Sequence, residues 1–167
     1  IAGILANISR ESSFDPTCVN SSSGASGLFQ WLGGRLTVLK NYAASKGKDW
    51  TDKQCQLELA WAEMSGDGSV PGATMQWSQS LWSQFQSTYD PYEAGSMFGH
   101  YWERYGSATE DDTSGKLAET YYGKISGSGG TAYMQWALEI AADDSHGYSQ
   151  RNRNGNPDYD CSSLVYY

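Results

Sequence analysis

Apolar residues recur at helical spacing through most of the first 125 positions, and one long polar stretch interrupts them. Ile4, Leu5 and Ile8 share one face and predict a helix over residues 1–11. Ser12 to Gly27 is rich in Ser, Gly, Asn and Pro, which predicts a loop with room for a small hairpin. The mainly apolar run Leu28-Phe29-Gln30-Trp31-Leu32 then reads as a short strand or a buried segment. A second helix fits Arg35 to Lys46, with Leu36 and Leu39 facing inward and Gly47 as its stop. Thr51-Asp52-Lys53-Gln54 has the capping-box pattern and opens a third helix, with Leu57, Trp61 and Met64 on its inner face. A fourth spans Gln76 to Phe85.

Asp90-Pro91-Tyr92-Glu93 places a proline at the first helical position and opens the most regular stripe in the chain. That stripe is Ala94, Met97, Phe98, Tyr101, Trp102 and Tyr105. A last helix fits Ser114 to Ile125 through Leu117 and Tyr121. The expected fold class is mainly α (α+β), a helical domain with a small β or loop region.

The Gly/Ser run from Ser126 to Thr131 predicts a linker, dividing residues 1–125 from a tail over 132–167. The chain starts in mid-pattern at Ile1 and stops inside the apolar run Leu164-Val165-Tyr166-Tyr167, which predicts an excerpt of a larger protein.

Charge narrows the function classes. A net charge of −8 argues against nucleic acid as a partner, because phosphate binding needs concentrated Lys and Arg. It also gives no electrostatic attraction to an anionic surface, so recognition of one has to be short-range. No run of 18 uncharged apolar residues predicts a membrane span, and no signal peptide is visible. His100 and His146 lack partners at metal-ligand spacing, so no metal and no cofactor is expected. Seven Trp, twelve Tyr and four Phe predict an aromatic core, with a few rings left to line a binding cleft; Trp31, Trp61 and Trp82 are the candidates. Among the three cysteines, Cys18 and Cys55 share a segment and could pair, which spacing alone leaves open.

The stretch with chemistry in it is Ile8-Ser9-Arg10-Glu11-Ser12-Ser13-Phe14-Asp15-Pro16, followed by Gly24-Ala25-Ser26-Gly27-Leu28-Phe29-Gln30-Trp31. A glutamate at the end of an amphipathic helix holds its carboxyl on a rigid element. Under an apolar roof such as Phe14 and Trp31, its ionised form would be disfavoured, as a general acid requires. Taken alone, the same residue fits an ordinary solvated helix end.

The Glu-Ser-Ser-Phe-Asp-Pro run with Gly24, Gly27, Leu28 and Gln30 resembles the catalytic signature of goose-type lysozymes and lytic transglycosylases. The fuller pattern resembles the phage tail lysozyme family more closely. It comprises Gly3-Ile4-Leu5-Ala6-Asn7, Gly27-Leu28-Phe29-Gln30-Trp31-Leu32-Gly33-Gly34-Arg35 and Tyr101-Trp102-Glu103-Arg104. Over residues 1–125 this resemblance implies a lysozyme-like fold that cleaves β-1,4 bonds of peptidoglycan, with Glu11 as the acid. Gly27, Gln30 and Trp31 then become substrate-binding candidates, and Glu103 and Asp15 candidates for a second carboxylate. Glycosidases of both stereochemical outcomes commonly use two carboxyls. In the goose-type and transglycosylase relatives one glutamate can suffice, helped by the substrate N-acetyl group or a positioned water.

In the tail, Pro157-Asp158-Tyr159-Asp160-Cys161-Ser162-Ser163-Leu164-Val165 resembles the start of an NlpC/P60 cysteine peptidase or amidase domain, which implies Cys161 as a nucleophile. That family's downstream histidine lies beyond the sequence. The expected protein is a phage lysin or tail-associated lysin acting at the bacterial wall. Its partners would be peptidoglycan and, in a virion, other tail-tip proteins. A lytic transglycosylase and an inactive wall-binding module are the alternatives.

Overall fold

The computed structural model describes residues 1–127; the remainder of the predicted linker and the tail with His146 and Cys161 lie outside the described residues. The chain divides into two units, and the first, Ile1–Tyr121, holds the helical domain. The helices among the described residues are α1 (Ala2–Ser12), α2 (Gly33–Ser45), α3 (Lys53–Ser65), α4 (Gln79–Ser87), α5 (Pro91–Met97) and α6 (Ala108–Gly127). A π-helical segment, Phe98–Glu103, continues α5. The described residues contain no strand, and the loop before α2 holds only the isolated bridges Val19–Ser26 and Ser26–Trp31. The fold is mainly helical, as the pattern predicts. None of its described helices is long and apolar enough to cross a membrane.

Local chemistry sets the helix starts. Asp52 caps α3 by accepting from the Cys55 backbone N–H, while Thr51 turns its hydroxyl to Asp49 instead. Ser78 caps α4, which therefore begins three residues later than its apolar pattern suggests. Asp90 accepts from Tyr92 and Glu93 ahead of Pro91, the start read from sequence. α6 begins six residues earlier than Ser114, because Ser107 and Glu110 form an unrecognised capping pair.

The predicted inner face of α3 is corrected. Leu57 and Trp61 are 43 % and 44 % exposed, whereas Gln56 and Glu63 are buried beside Cys55, Leu59, Ala60, Ala62 and Met64. Two polar side chains with buried partners turn that face by about one position.

The core is aromatic. Phe29 from the loop packs 5.0 Å from Trp102 and 5.3 Å from Trp31, and Phe98 lies 4.8 Å from Trp102, all between ring centroids. Leu28, Phe29 and Trp31 of the apolar run are thus buried without forming a strand, whereas Leu32 is exposed. Cys18 and Cys55 are free thiols, so the pairing left open by their spacing does not form.

α1 lies directly on α5. A side chain at Gly3 would bring its Cβ to 2.7 Å from the carbonyl of Ala94, so the two backbones meet where only glycine fits. Gly3→Ala is expected to lower stability by about 1–3 kcal/mol, read from the denaturant midpoint at unchanged slope. This contact bears on the site, because α1 ends in Glu11.

Candidate active site

Glu11 occupies the last turn of α1, and its neighbour Ser12 fixes that turn to the buried loop. The Ser12 hydroxyl lies 3.0 Å from the Ile8 carbonyl and 3.1 Å from that of Leu28. Ser13 and Phe14 both take positive φ, 51° and 65°, so the chain leaves the helix abruptly. The residues expected to roof Glu11 are engaged elsewhere. Phe14 is 41 % exposed and stands edge-on to Tyr121, and Trp31 is wholly buried with its indole N–H on Glu63. A fully buried ring offers no face to a sugar, so the structure places Trp31 in the core rather than on a binding surface.

Tyr105 takes the place of that roof. Its hydroxyl is 2.6 Å from Glu11 Oε1 and 2.6 Å from Asn7 Oδ1, and Asn7 Nδ2 donates to Glu103 Oε1 at 2.6 Å. Asn7 sits one turn before Glu11 on α1, which brings both to the same side. Glu103 and Tyr105 arrive through the π-helical segment. The wider turn breaks the helical stripe, leaving Tyr101 42 % exposed, and Arg104 then reverses the chain with φ 63°. Arg10 supports the hydroxyl-bearing ring with its guanidinium 4.0 Å from the ring centre, and it bonds Ser114 and the Glu110 carbonyl on α6.

Two of the residues singled out in sequence, Glu11 and Glu103, are therefore joined through Tyr105 and Asn7. Burial of its carboxyl, and then the negative charge of Glu11, push Glu103 up to about 8; Glu63 pushes the same way, against the Asn7 hydrogen bond and Arg35. Tyr105 is raised above its ordinary value, chiefly by burial and then by Glu11, and stays a neutral hydroxyl. For Glu103 the native state binds a proton that the unfolded chain releases near 4.5. Its contribution to stability is complete below that value and is lost as pH rises through about 8. Wild-type stability is expected to fall across that window, with a slope of at most about 1.4 kcal/mol per pH unit. Glu103→Gln should flatten the slope, measured by denaturation at a series of pH values.

A second charged group lies behind the first. Arg35 grips Glu63 with Nε to Oε1 at 2.9 Å and Nη2 to Oε2 at 2.6 Å, and Glu63 also accepts from Trp31 at 2.9 Å. The Arg35 guanidinium lies 4.8 Å from the Trp102 ring centre. The indole N–H of Trp102 is buried and has no partner among the described residues. A cavity of about 410 Å³ opens beside Arg35 and Glu63, walled by Leu32, Val38 and Thr74.

The other sequence candidates take local roles. Asp15 is fully exposed and accepts from the Thr17 hydroxyl at 2.7 Å and the Thr17 N–H at 2.8 Å; these bonds hold its carboxyl below the usual range. Gln30 folds its amide back onto the Gly27 carbonyl at 3.0 Å. Gly27 has φ +80°, and any Cβ there would meet Gln56 at 2.8 Å. Gln56 itself is wholly buried and accepts from Leu28 N–H while donating to the Pro16 and Trp50 carbonyls. It stitches the loop to α3, a role not visible in the pattern. Trp82 is buried and Trp61 half-exposed, edge-on at 5.4 Å. His100 pairs with Asp111 at the surface. Among the described residues no group of three His, Cys, Asp or Glu could hold a metal.

Asn7, Tyr105, Gln56 and Glu63 were missed. Asn7 could have been noticed as a polar residue four positions before Glu11, and Tyr105 as the last member of the strong stripe, which its hydroxyl leaves for the site.

No curated protein and no solved structure matches the chain. The family model for phage tail lysozyme does match, over residues 1–125, a span that contains both carboxyls and the bridge between them. The chain belongs to the phage tail lysozyme family and is a peptidoglycan-lytic phage enzyme.

Proposed function

We propose that residues 1–125 cleave the β-1,4 glycan strand of peptidoglycan as a muramidase, with Glu11 as the general acid. The observation that carries this reading is the 2.6 Å contact between the Glu11 carboxyl and the Tyr105 hydroxyl, at the rigid end of a helix and joined through Asn7 to the half-buried carboxyl of Glu103. A carboxyl so held is fixed in direction, as a proton donor to a glycosidic oxygen must be. Glu11 passes its proton to that oxygen as the bond to the anomeric carbon breaks, and charge accumulates on the sugar ring. The loop from Gly24 to Trp31 is tied to the end of α1 through Ser12 and Leu28, next to the acid, and Gln30 on it is proposed to face the strand. Cys161 is proposed, on its sequence motif, as the nucleophile of an NlpC/P60-like second domain in a longer protein. A tail-tip position among other virion proteins fits the same reading.

The test is the chemistry of the ends released from purified cell wall. New muramic acid reducing ends support a muramidase, and glucosamine reducing ends would move the cut to the other bond. Anhydromuramic ends would select the transglycosylase reaction. Release of new amino groups without any new sugar ends would overturn glycan cleavage.

A further inference from the structure

We infer that Glu11 and Glu103 hold one proton between them, and that Glu103 is a positioning residue that keeps Glu11 supplied with its acid form. The inference deepens the reading of Glu11 as general acid and rests on it.

Three contacts of 2.6 Å run in series, from Glu11 to Tyr105, from Tyr105 to Asn7 and from Asn7 to Glu103, and each needs one hydrogen. Tyr105 has a single O–H, and an amide oxygen only accepts. With Asn7 donating to Glu103, its Oδ1 must take the Tyr105 proton. The contact between Tyr105 and Glu11 is then a hydrogen bond only if Glu11 carries a proton and donates it to the phenol oxygen. In this arrangement Glu103 is ionised and Glu11 is the loaded acid.

The same frame admits one mirror arrangement, with the Asn7 amide turned over. Glu103 then donates to Oδ1, Nδ2 donates to the phenol oxygen, and Tyr105 donates to an ionised Glu11. One proton moves from the first carboxyl to the second, and the four groups keep a net charge of −1 in both arrangements. If both carboxyls ionise, two oxygens without a hydrogen face each other at 2.6 Å, at Glu11, between Tyr105 and Asn7, or at Glu103. The bridge therefore resists loss of the last proton.

The surroundings act in the same direction. Facing Glu103 are Glu11 and Asn7 from α1, Arg35 from α2 and Glu63 from α3; the two glutamates and burial favour its neutral form, and Arg35 and Asn7 oppose it. Arg35 is itself held by both oxygens of Glu63, which blunts its pull. Facing Tyr105 are Glu11, Glu103 and Arg10, the last already engaged with α6. Burial favours the proton on Glu103 in the free enzyme. A glycosidic oxygen brought within reach of the same Glu11 oxygen competes with the phenol oxygen for this proton, and so draws the proton to Glu11. When Glu11 has given its proton up, the pair regains one from solvent.

Two measurements test this. Carboxyl infrared bands of the wild-type protein, followed against pH with ¹³C-labelled glutamate, should show one protonated carboxyl persisting above the range in which exposed glutamates ionise. Glu103→Gln and Tyr105→Phe should each remove that band. In wall digestion, both variants should move the alkaline limb of kcat/KM down by at least one pH unit, a tenfold or greater loss above the wild-type midpoint. A structural role alone would lower activity equally at every pH. A wild-type spectrum in which all carboxyls ionise together in the ordinary range overturns the shared proton, whatever the activity shows. Retention of activity by Glu11→Gln, with the persistent band present, overturns instead the reading of Glu11 as the acid.

Discussion

Glu11→Gln is expected to reduce wall-lytic turnover by roughly 10²–10⁴-fold, the usual contribution of a positioned proton donor. Glutamine has nearly the same shape, and its amide oxygen can accept from Tyr105 in place of the carboxylate. Stability should therefore stay within about 1 kcal/mol of the wild type, as for a surface-accessible change that keeps its hydrogen bond. The separation of the two effects is the informative part. Loss of turnover with an unchanged denaturation midpoint assigns the residue to chemistry. Loss of both would mean that the carboxylate holds α1 to the segment bearing Tyr105. Full turnover would remove Glu11 from the reaction.

Glu63→Ala has the largest expected effect on folding. The substitution strips Arg35 of both carboxylate oxygens, at 2.9 and 2.6 Å, and leaves the buried Trp31 indole without its acceptor. Removing one partner of a buried ion pair costs about 3–5 kcal/mol, because the remaining charge stays out of water. The Arg35 side chain is 28 % exposed against 2 % for Glu63, which puts the expected loss near the lower end, about 3 kcal/mol. Chemical denaturation measures it directly. A change under about 1 kcal/mol would mean that the guanidinium turns out to solvent, and that the pair contributes little to the fold.

Much of the helical order was legible because capping residues and apolar spacing agree. Asp90 with Pro91 starts α5, and Ile4, Leu5 and Ile8 lie within α1, whose end carries Glu11. The failures share a cause. Where polar side chains are buried with partners distant in sequence, the apolar pattern points the wrong way. Gln56 and Glu63 rotate the inner face of α3, and their partners lie in the loop before α2 and at Arg35. The π-helical turn likewise has no signature in the stripe from Ala94 to Tyr105, yet it turns Glu103 towards Asn7.

The site was legible in part for the same reason. Glu11 is marked by a contiguous motif, whereas the bridge joins Asn7 to positions 96 and 98 residues away. Only the fold brings those together. The aromatic residues show the reverse error: Trp31 stands in the motif and suggests a sugar platform, but its ring is consumed by the core and by Glu63.

The central claim is that Glu11 protonates the departing glycosidic oxygen, and leaving-group dependence tests it most directly. The measurement is kcat/KM for wild type and Glu11→Gln on two oligosaccharides of peptidoglycan type, one with a natural sugar leaving group and one with a dinitrophenolate. Dinitrophenolate departs without a proton. The account predicts that Glu11→Gln loses roughly 10²–10⁴-fold on the natural substrate and keeps most of the wild-type rate on the activated one. An equal loss on both substrates would contradict it.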